Sequence, residues 1–187
     1  MGYYPNAGEG LKKMFIAQIG AVICAVLMII PVINIFAAIA AIVFAVISLI
    51  GLYKAGQDID GCKTAFMITI VNMVVSLLSS FTKIGAFAVI LSIAKSVLSL
   101  MVVYYVCNSV AGVMNQIGAS DIASIGTNVW NINLVCCIVV IVVSFLAFVP
   151  ALTVIAGLTA IVCTIASLIA SIMYMVFLYK SYVALGA

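Results

Sequence analysis

The sequence lacks histidine and arginine altogether, and only 6% of its 187 residues are charged. Without histidine, and without any Cys-x-x-Cys pair, it has no ligand set for zinc or haem, so we expect no cofactor. Its lysines are spread along the chain, whereas a nucleic-acid-binding face needs clustered basic residues, so we expect no nucleic-acid partner. A soluble domain carries about 25% charged residues. Too few charges are present here to cover a water-facing surface, and the lipid bilayer is therefore part of the expected solvent.

Six cysteines are present, but they do not predict a disulfide framework. Most of them lie inside apolar runs, where a thiol packs as a small hydrophobic group. Cys136 and Cys137 are adjacent, and a redox or metal-binding pair is one interpretation of them. Neighbouring positions of a helix do not face each other, so packing is the interpretation that we favour.

Long apolar runs dominate what is present. Hydrophobic residues make up 68% of the chain, and ten of its eleven charged side chains (seven lysines and four carboxylates in all) lie outside these runs. A bilayer imposes this spacing, because a charge inside hydrocarbon costs about 2.5–3.5 kcal/mol. Each run is long enough for a helix to cross a core of about 30 Å. The six runs are residues 14–30, 35–53, 64–81, 84–106, 129–149 and 151–179.

These runs predict an all-α integral membrane protein with six transmembrane helices arranged as three helical hairpins. Strands of a β-barrel would alternate polar and apolar residues, whereas these runs are apolar at consecutive positions. We expect a single polytopic membrane domain over residues 1–187. Its hairpins are expected at about 14–53, 64–106 and 129–179, with a cytoplasmic connector at 107–128.

The connections carry their own expectations. Apolar residues at helical spacing continue the fourth helix towards Gly118. Ser120 is expected to cap a short turn that ends at Gly126, and Thr127 is expected to cap the fifth helix. The connection between the second and third helices is expected to hold Lys54, Asp58, Asp60 and Lys63. Very short outer turns are expected at Pro31 to Asn34, at Thr82 and Lys83, and at Pro150.

The lysines predict the orientation. With the amino terminus in the cytoplasm, most of the lysines outside the runs lie inside and only Lys83 lies outside, as the positive-inside rule favours. We therefore expect both termini in the cytoplasm, and we expect the membrane to be a bacterial cell membrane. Small residues at helical spacing are expected to face other helices, since close packing holds helices together in lipid. They are Ala17, Ala21 and Ala25 on the first helix, and Ala37, Ala41 and Ala45 on the second. Packing within the chain is the interpretation that we favour, and the alternative is that one of these faces joins subunits.

Lys95 is the exception to the charge pattern, because it falls in the middle of the fourth run. Three states of its amine are open. It is neutral and hydrogen-bonded, it is charged in a hydrated cavity that attracts an anion, or it is paired with a carboxylate of another subunit. The alternative is a shorter fourth helix that starts near Lys95 at the membrane surface. The polar faces of the third and fourth helices can meet across their short turn. The candidate ligand-binding residues are therefore Lys95, Asn72, Ser76, Ser92 and Ser99.

Three classes of function remain open. The first is a small permease, channel or solute-binding membrane subunit that takes a small anionic or polar solute near Lys95. Six helices in under 200 residues, cytoplasmic termini and an alanine-rich first helix resemble the substrate-binding components of energy-coupling-factor vitamin transporters in architecture and size. The second is a structural or accessory protein that forms a homo-oligomer or supports a larger membrane complex.

The third class is an intramembrane enzyme. A Ser-Lys pair, with Ser92 or Ser99 one turn from Lys95, is the one catalytic constellation that the sequence offers. Neighbours on a single continuous helix rarely aim both groups at one substrate. We therefore expect no enzymatic activity.

Overall fold

The computed structural model describes residues 4–28, 30, 33–81, 86–146 and 153–186. Over these residues the chain is helical and forms six helices, each long and apolar enough to cross a membrane. The prediction of an all-α integral membrane protein with six transmembrane helices in three hairpins is confirmed. The helices are α1 (Pro5–Leu27), α2 (Asn34–Asp58), α3 (Asp60–Phe81), α4 (Ala86–Gln116), α5 (Ser120–Leu146) and α6 (Thr153–Ala184).

The six helices form a closed ring. Each helix packs against the next one along the chain, and α6 returns to α1, while α4 also touches α6 over a short stretch. Helices suit this environment because they satisfy their backbone hydrogen bonds internally where no water is present to do so. The longest, α4 and α6, have 31 and 32 residues. At about 1.5 Å per residue, both exceed a hydrocarbon core of about 30 Å and project beyond it.

The start of α1 and the end of α6 lie at the same end of the helix bundle. The centroid of the Phe15 aromatic ring is 5.6 Å from that of Tyr179 and 5.8 Å from that of Tyr182. The Tyr4 hydroxyl donates to Gln116 Oε1, 3.2 Å away at the end of α4. We call this the basic end, because its helix termini carry Lys12, Lys13, Lys54, Lys63 and Lys180.

Polar contacts tie α1 to α2 at the basic end. Glu9 forms ion pairs with Lys54, at 2.6 Å, and with Lys13, at 3.3 Å. The Asp58 carboxylate accepts a hydrogen bond from the Ala7 backbone N–H, at 2.9 Å, and one from the Asn6 amide, at 3.0 Å. A carboxylate at a helix amino terminus satisfies an unpaired N–H and interacts favourably with the helix dipole. The last turn of α2 therefore caps the first turn of α1.

The dense core lies in the basic half of the ring. The largest fully buried side chains come from α1, α3, α4, α5 and α6. Towards the opposite end of the bundle, many of the described side chains are exposed; Ile35 and Phe36, for example, are both 72% exposed. Bulky apolar groups on that surface face lipid. The fully buried core side chains include Leu11, Val106, Val110, Met114, Val129, Phe177 and Leu178.

Glycines set the closest approach of α1 and α2. At Gly10 the backbone of α1 lies directly against that of α2 at Gly51 and Ala55. Further along α1, the ring of Phe44 occupies the space where Gly20 has no side chain. The buried face of α1 thus continues through Ala17, Gly20 and Cys24.

The predicted alanine faces are correct only in part. Ala17 and Ala37 are buried, but Ala21, Ala25 and Ala45 are exposed. The prediction that the last three face other helices of the chain is therefore wrong. On α1, the reason is that Gly20, which lies against Phe44 of α2, and the buried Cys24 occupy the inner face in place of Ala21 and Ala25.

Residues 107–128 are almost entirely helical rather than a connector. The predicted continuation of α4 is confirmed to Gln116. Gly118 ends it in the left-handed region at φ 84°, and the Ala119 N–H donates to Met114 O at 2.8 Å, an arrangement typical of helix carboxyl termini.

The expected turn ending at Gly126 is wrong, because α5 begins at Ser120 and runs through it. Thr127 does not cap α5, since its hydroxyl donates to Ala123 O inside the helix. The connection between α2 and α3 is likewise a single residue, Ile59, because both helices run on through their charged residues. The expected outer turns at Thr82 and Lys83 and at Pro150, and Pro31 of the first one, lie outside the described residues.

All six cysteines are free thiols. Cys24, Cys62, Cys107 and Cys163 are buried, while Cys136 and Cys137 are half-buried. Packing, the interpretation favoured from the sequence, is the role that their burial fits.

Candidate functional site

A hydrogen bond joins the polar faces of α3 and α4. The Asn72 amide donates through Nδ2 to Ser99 Oγ at 3.1 Å. Two of the five predicted site residues therefore meet across this interface, as the sequence led us to expect. Such bonds between membrane helices contribute on average about 0.6 kcal/mol, so this one fixes the register of the two helices more than it stabilises them.

That register brings Ser76 level with Lys95. The two helices are antiparallel, so one turn beyond Asn72 on α3 lies opposite one turn before Ser99 on α4. Ser76 and Lys95 are both half-buried. Ser92, a further turn along α4, is exposed, and its carbonyl oxygen accepts a hydrogen bond from the Ser96 hydroxyl at 3.1 Å.

Lys95 lies well inside a continuous helix. It is the tenth residue of α4, which begins at Ala86, so the alternative of a fourth helix starting near Lys95 is wrong. Tyr104, whose ring packs 4.8 Å from that of Trp130, lies nine residues nearer the basic end. Nine residues correspond to about 14 Å along the helix. Tyrosine and tryptophan favour the membrane–water interface, so Lys95 lies farther from the basic end than this aromatic pair.

No carboxylate within the described residues forms an ion pair with Lys95. The ion pairs found there involve Glu9, at the basic end. Neither Ser92 nor Ser99 hydrogen-bonds the Lys95 amine in this part of the chain, and the Ser99 hydroxyl oxygen already accepts from Asn72. A Ser-Lys hydrogen bond of the kind that a catalytic dyad needs is thus not formed among the described residues.

Asn72 carries an unsatisfied acceptor. Its Oδ1 atom is buried and has no hydrogen-bond partner among the described residues. A buried polar atom left unpaired costs about 1–3 kcal/mol. Asn72 lies about one helical turn from Lys95, so this oxygen and the Lys95 amine together offer one acceptor and one donor to a polar ligand.

On the neighbouring face of α4, a groove of about 180 Å³ lies between α4, α5 and α6. Ser99 lines this groove as well as accepting from Asn72, so the two polar regions are continuous. Asn133 also lines it and binds its own helix through Nδ2, which donates to Val129 O at 2.8 Å. The polar side chains around the groove are Ser96, Ser99, Asn133 and Ser167, beside the thiols of Cys136 and Cys137.

We call the set formed by Asn72, Ser96, Ser99, Asn133 and Ser167 the polar band. Asn133 was missed from the sequence, although an amide inside an apolar run is a signal that could have identified it. Ser167 was likewise not predicted as a site residue. Cys137 contacts α4, where its thiol lies 4.0 Å from Ser96 O. The polar band therefore reaches from α3 across α4 to α6, which is wider than the α3–α4 site predicted.

Comparisons with known proteins add no relative: no family model, no curated protein and no solved structure matches the chain. Within the described residues, no group of three or more histidine, cysteine, aspartate or glutamate side chains is placed to hold a metal ion. The chemistry that these residues offer is hydrogen bonding, together with the amine of Lys95.

Proposed function

We propose that the protein is a small membrane permease or solute-binding membrane subunit that holds a small polar anion beside Lys95. The observation that supports this proposal is that two groups about one helical turn apart, on α3 and α4, lack a partner among the described residues. Lys95 has no counterion among the described residues, and Asn72 Oδ1, one turn away on α3, has no donor there.

The energetics support a ligand at this position. A central lysine costs about 2.5–3.5 kcal/mol in a membrane helix, and the unpaired amide oxygen adds about 1–3 kcal/mol. A small anion that also carries a hydroxyl or acid proton offsets both costs, because it accepts from the ammonium group and donates to the amide oxygen.

The polar band supplies the route. From Ser99 it continues into the groove, whose polar side chains replace part of the hydration of a solute that leaves water. The basic end attracts anions from solution by its positive potential. We propose that this end faces the cytoplasm of a bacterial cell, since the lysines gathered there satisfy the positive-inside rule.

The test is anion flux into liposomes that contain the purified protein. Swelling is followed in chloride, phosphate or acetate, with the wild type beside Lys95→Met. We expect flux of at least one anion, lost in Lys95→Met. Lys180→Met removes one of the five lysines of the basic end, at the exposed end of α6 and away from Lys95. It serves as the matched control, in which most of the flux is retained because the other four lysines remain.

Two serine substitutions distinguish a role of the polar band in flux from a general effect on folding. Ser99→Ala removes the acceptor of the Asn72 bond and a groove hydroxyl, so flux should fall. Ser124→Ala removes a hydroxyl whose one hydrogen bond among the described residues goes to Asp121 O in its own helix, so flux should not change. Flux that survives Lys95→Met contradicts the proposal. So does the absence of both flux and any anion-dependent rise in melting temperature.

A structural role in a homo-oligomer is the competing proposal, and the exposed small-residue face of α1 supports it. Ala21 and Ala25 are uncovered in the single chain, and small residues in this spacing let membrane helices approach closely. A defined oligomer in detergent that breaks up on Ala21→Leu and Ala25→Leu, without any anion flux in liposomes, is the result that favours this role.

A further inference from the structure

A second pocket lies at the basic end, where α2 and α3 meet. It has a volume of about 350 Å³, which falls within the range of about 300–1,000 Å³ typical of ligand sites. It shares no residue with the polar band. Its lining residues are Tyr53, Gly56, Gln57, Asp60, Lys63 and Phe66.

The pocket is graded from polar to apolar along the membrane normal. On α2, which runs towards the basic end, Tyr53 is one turn deeper than Gln57. On α3, which runs back into the membrane, Lys63 and then Phe66 lie progressively deeper than Asp60. The rings of Tyr53 and Phe66 pack with their centroids 5.6 Å apart and form the deeper wall. The charged rim is thus nearer the basic end than the aromatic wall, and aromatic rings of this kind favour the membrane–water interface.

The two charged residues of the pocket, Asp60 and Lys63, differ from the other charged residues of this junction, because their side chains have no ion-pair or hydrogen-bond partner among the described residues. Lys54 is paired with Glu9, and the Asp58 carboxylate accepts from Asn6 and from the Ala7 backbone. Asp60 and Lys63 are both exposed, and no ion pair joins either to another side chain in the described part of the chain.

These two charges have opposite sign and a defined separation. Residues three apart on a helix have Cβ atoms about 5–6 Å apart, which suits the two ends of a short zwitterion. A ligand that carries only negative charge meets the Asp60 carboxylate as well as Lys63, so the pair favours a headgroup with an adjacent phosphate and ammonium. A primary ammonium can donate hydrogen bonds to Asp60, whereas a quaternary ammonium cannot.

From this geometry we infer that the pocket binds the headgroup of a zwitterionic phospholipid with a primary amine, an ethanolamine phospholipid. Lys63 holds the phosphate, Asp60 holds the ammonium, and the Tyr53–Phe66 wall contacts the glycerol and upper acyl chain. This site is independent of the proposed anion site, since neither charge belongs to it.

Native mass spectrometry of the purified protein tests the inference. The protein is mixed with equal amounts of phosphatidylethanolamine, phosphatidylcholine and phosphatidylglycerol, and the bound lipids are counted. We expect phosphatidylethanolamine to bind in preference to the other two. Asp60→Asn should reduce its binding by about two- to fivefold, the range for an exposed ion pair, and should remove the preference. Lys63→Met should weaken all three lipids, because each carries a phosphate.

Two matched variants remove a charge at the basic end away from the pocket. Asp121→Asn acts at the exposed start of α5, and Lys180→Met at the exposed end of α6; both should leave the lipid preference unchanged. Thermal unfolding of each variant shows whether it remains folded. Equal binding of the three lipids by the wild type, or an unchanged preference in Asp60→Asn, overturns the inference. Displacement of the lipid by soluble phosphoethanolamine at equal concentration also overturns it, because the aromatic wall would then contribute nothing.

Discussion

Replacing Gly10 by alanine is the sharpest test of how α1 packs on α2. A Cβ atom at Gly10 would lie 2.5 Å from Gly51 O and 2.5 Å from Ala55 N. Both of these are backbone atoms of α2, near its carboxyl end, so neither can rotate out of the way. The helices must therefore separate, and the loss extends to the neighbouring contacts of Gly51, which itself lies against Met14.

The magnitude follows from two opposing terms. Overpacking a close contact costs about 1–3 kcal/mol, and the immovable backbone places this case near the upper value. Alanine in place of glycine in a helix gains about 1 kcal/mol. The expected net loss in the free energy of unfolding is therefore about 2 kcal/mol.

Gly112→Ala is the matched control, because nothing lies within 4 Å of a Cβ atom at this position in α4. Only the helix-propensity term acts there, so this variant should gain up to about 1 kcal/mol. The two variants should thus differ by about 3 kcal/mol. The assay is unfolding in mixed micelles with increasing dodecyl sulfate, followed by the fluorescence of Trp130, the single tryptophan of the chain. If Gly10→Ala is as stable as Gly112→Ala, the direct backbone contact of α1 with α2 does not exist.

Three further predictions use the same unfolding assay. Lys95→Met should leave the free energy of unfolding unchanged or raise it, because it removes an uncompensated charge; a large loss would mean that Lys95 has a partner within the chain. Phe177→Ala empties a fully buried position of the core and should cost about 3–5 kcal/mol, whereas Phe36→Ala, at 72% exposure, should change stability by no more than about 0.5 kcal/mol. Gly61→Ala should destabilise the α3–α4 contact, since its Cβ atom would overlap the Ser109 side chain; adding Ser109→Gly should recover most of the loss, and purely additive losses would contradict this contact.

The bilayer explains why so much of the fold could be predicted from sequence. Hydrocarbon excludes charge and requires internally satisfied backbone, so runs such as residues 35–53 predict helices without any knowledge of their partners. Hydropathy marks the apolar span, however, and not the end of the helix. Asp58 and Asp60 were assigned to a connection for that reason, yet they end α2 and begin α3.

Only the part of the candidate site that follows from helical spacing and a short turn could be predicted from the sequence. Asn72 and Ser99 could be paired because a short turn makes α3 and α4 neighbours. The contribution of Asn133 could not be predicted, because it depends on which face α5 turns towards α4 and α6. In so apolar a chain, that choice depends on shape rather than polarity, as the exposure of Ala21 beside the buried Gly20 also illustrates.

The concentration of buried side chains in one half of the ring has a thermodynamic consequence. Local opening requires least energy where few contacts are lost, so the ends of the helices remote from Phe177 should loosen while the lysine-bearing half holds together. Backbone amides should then exchange with solvent deuterium along a gradient, slowest near Val110 and faster towards Phe36. The lysine-bearing half of the helix bundle should therefore be the more rigid part of the described structure.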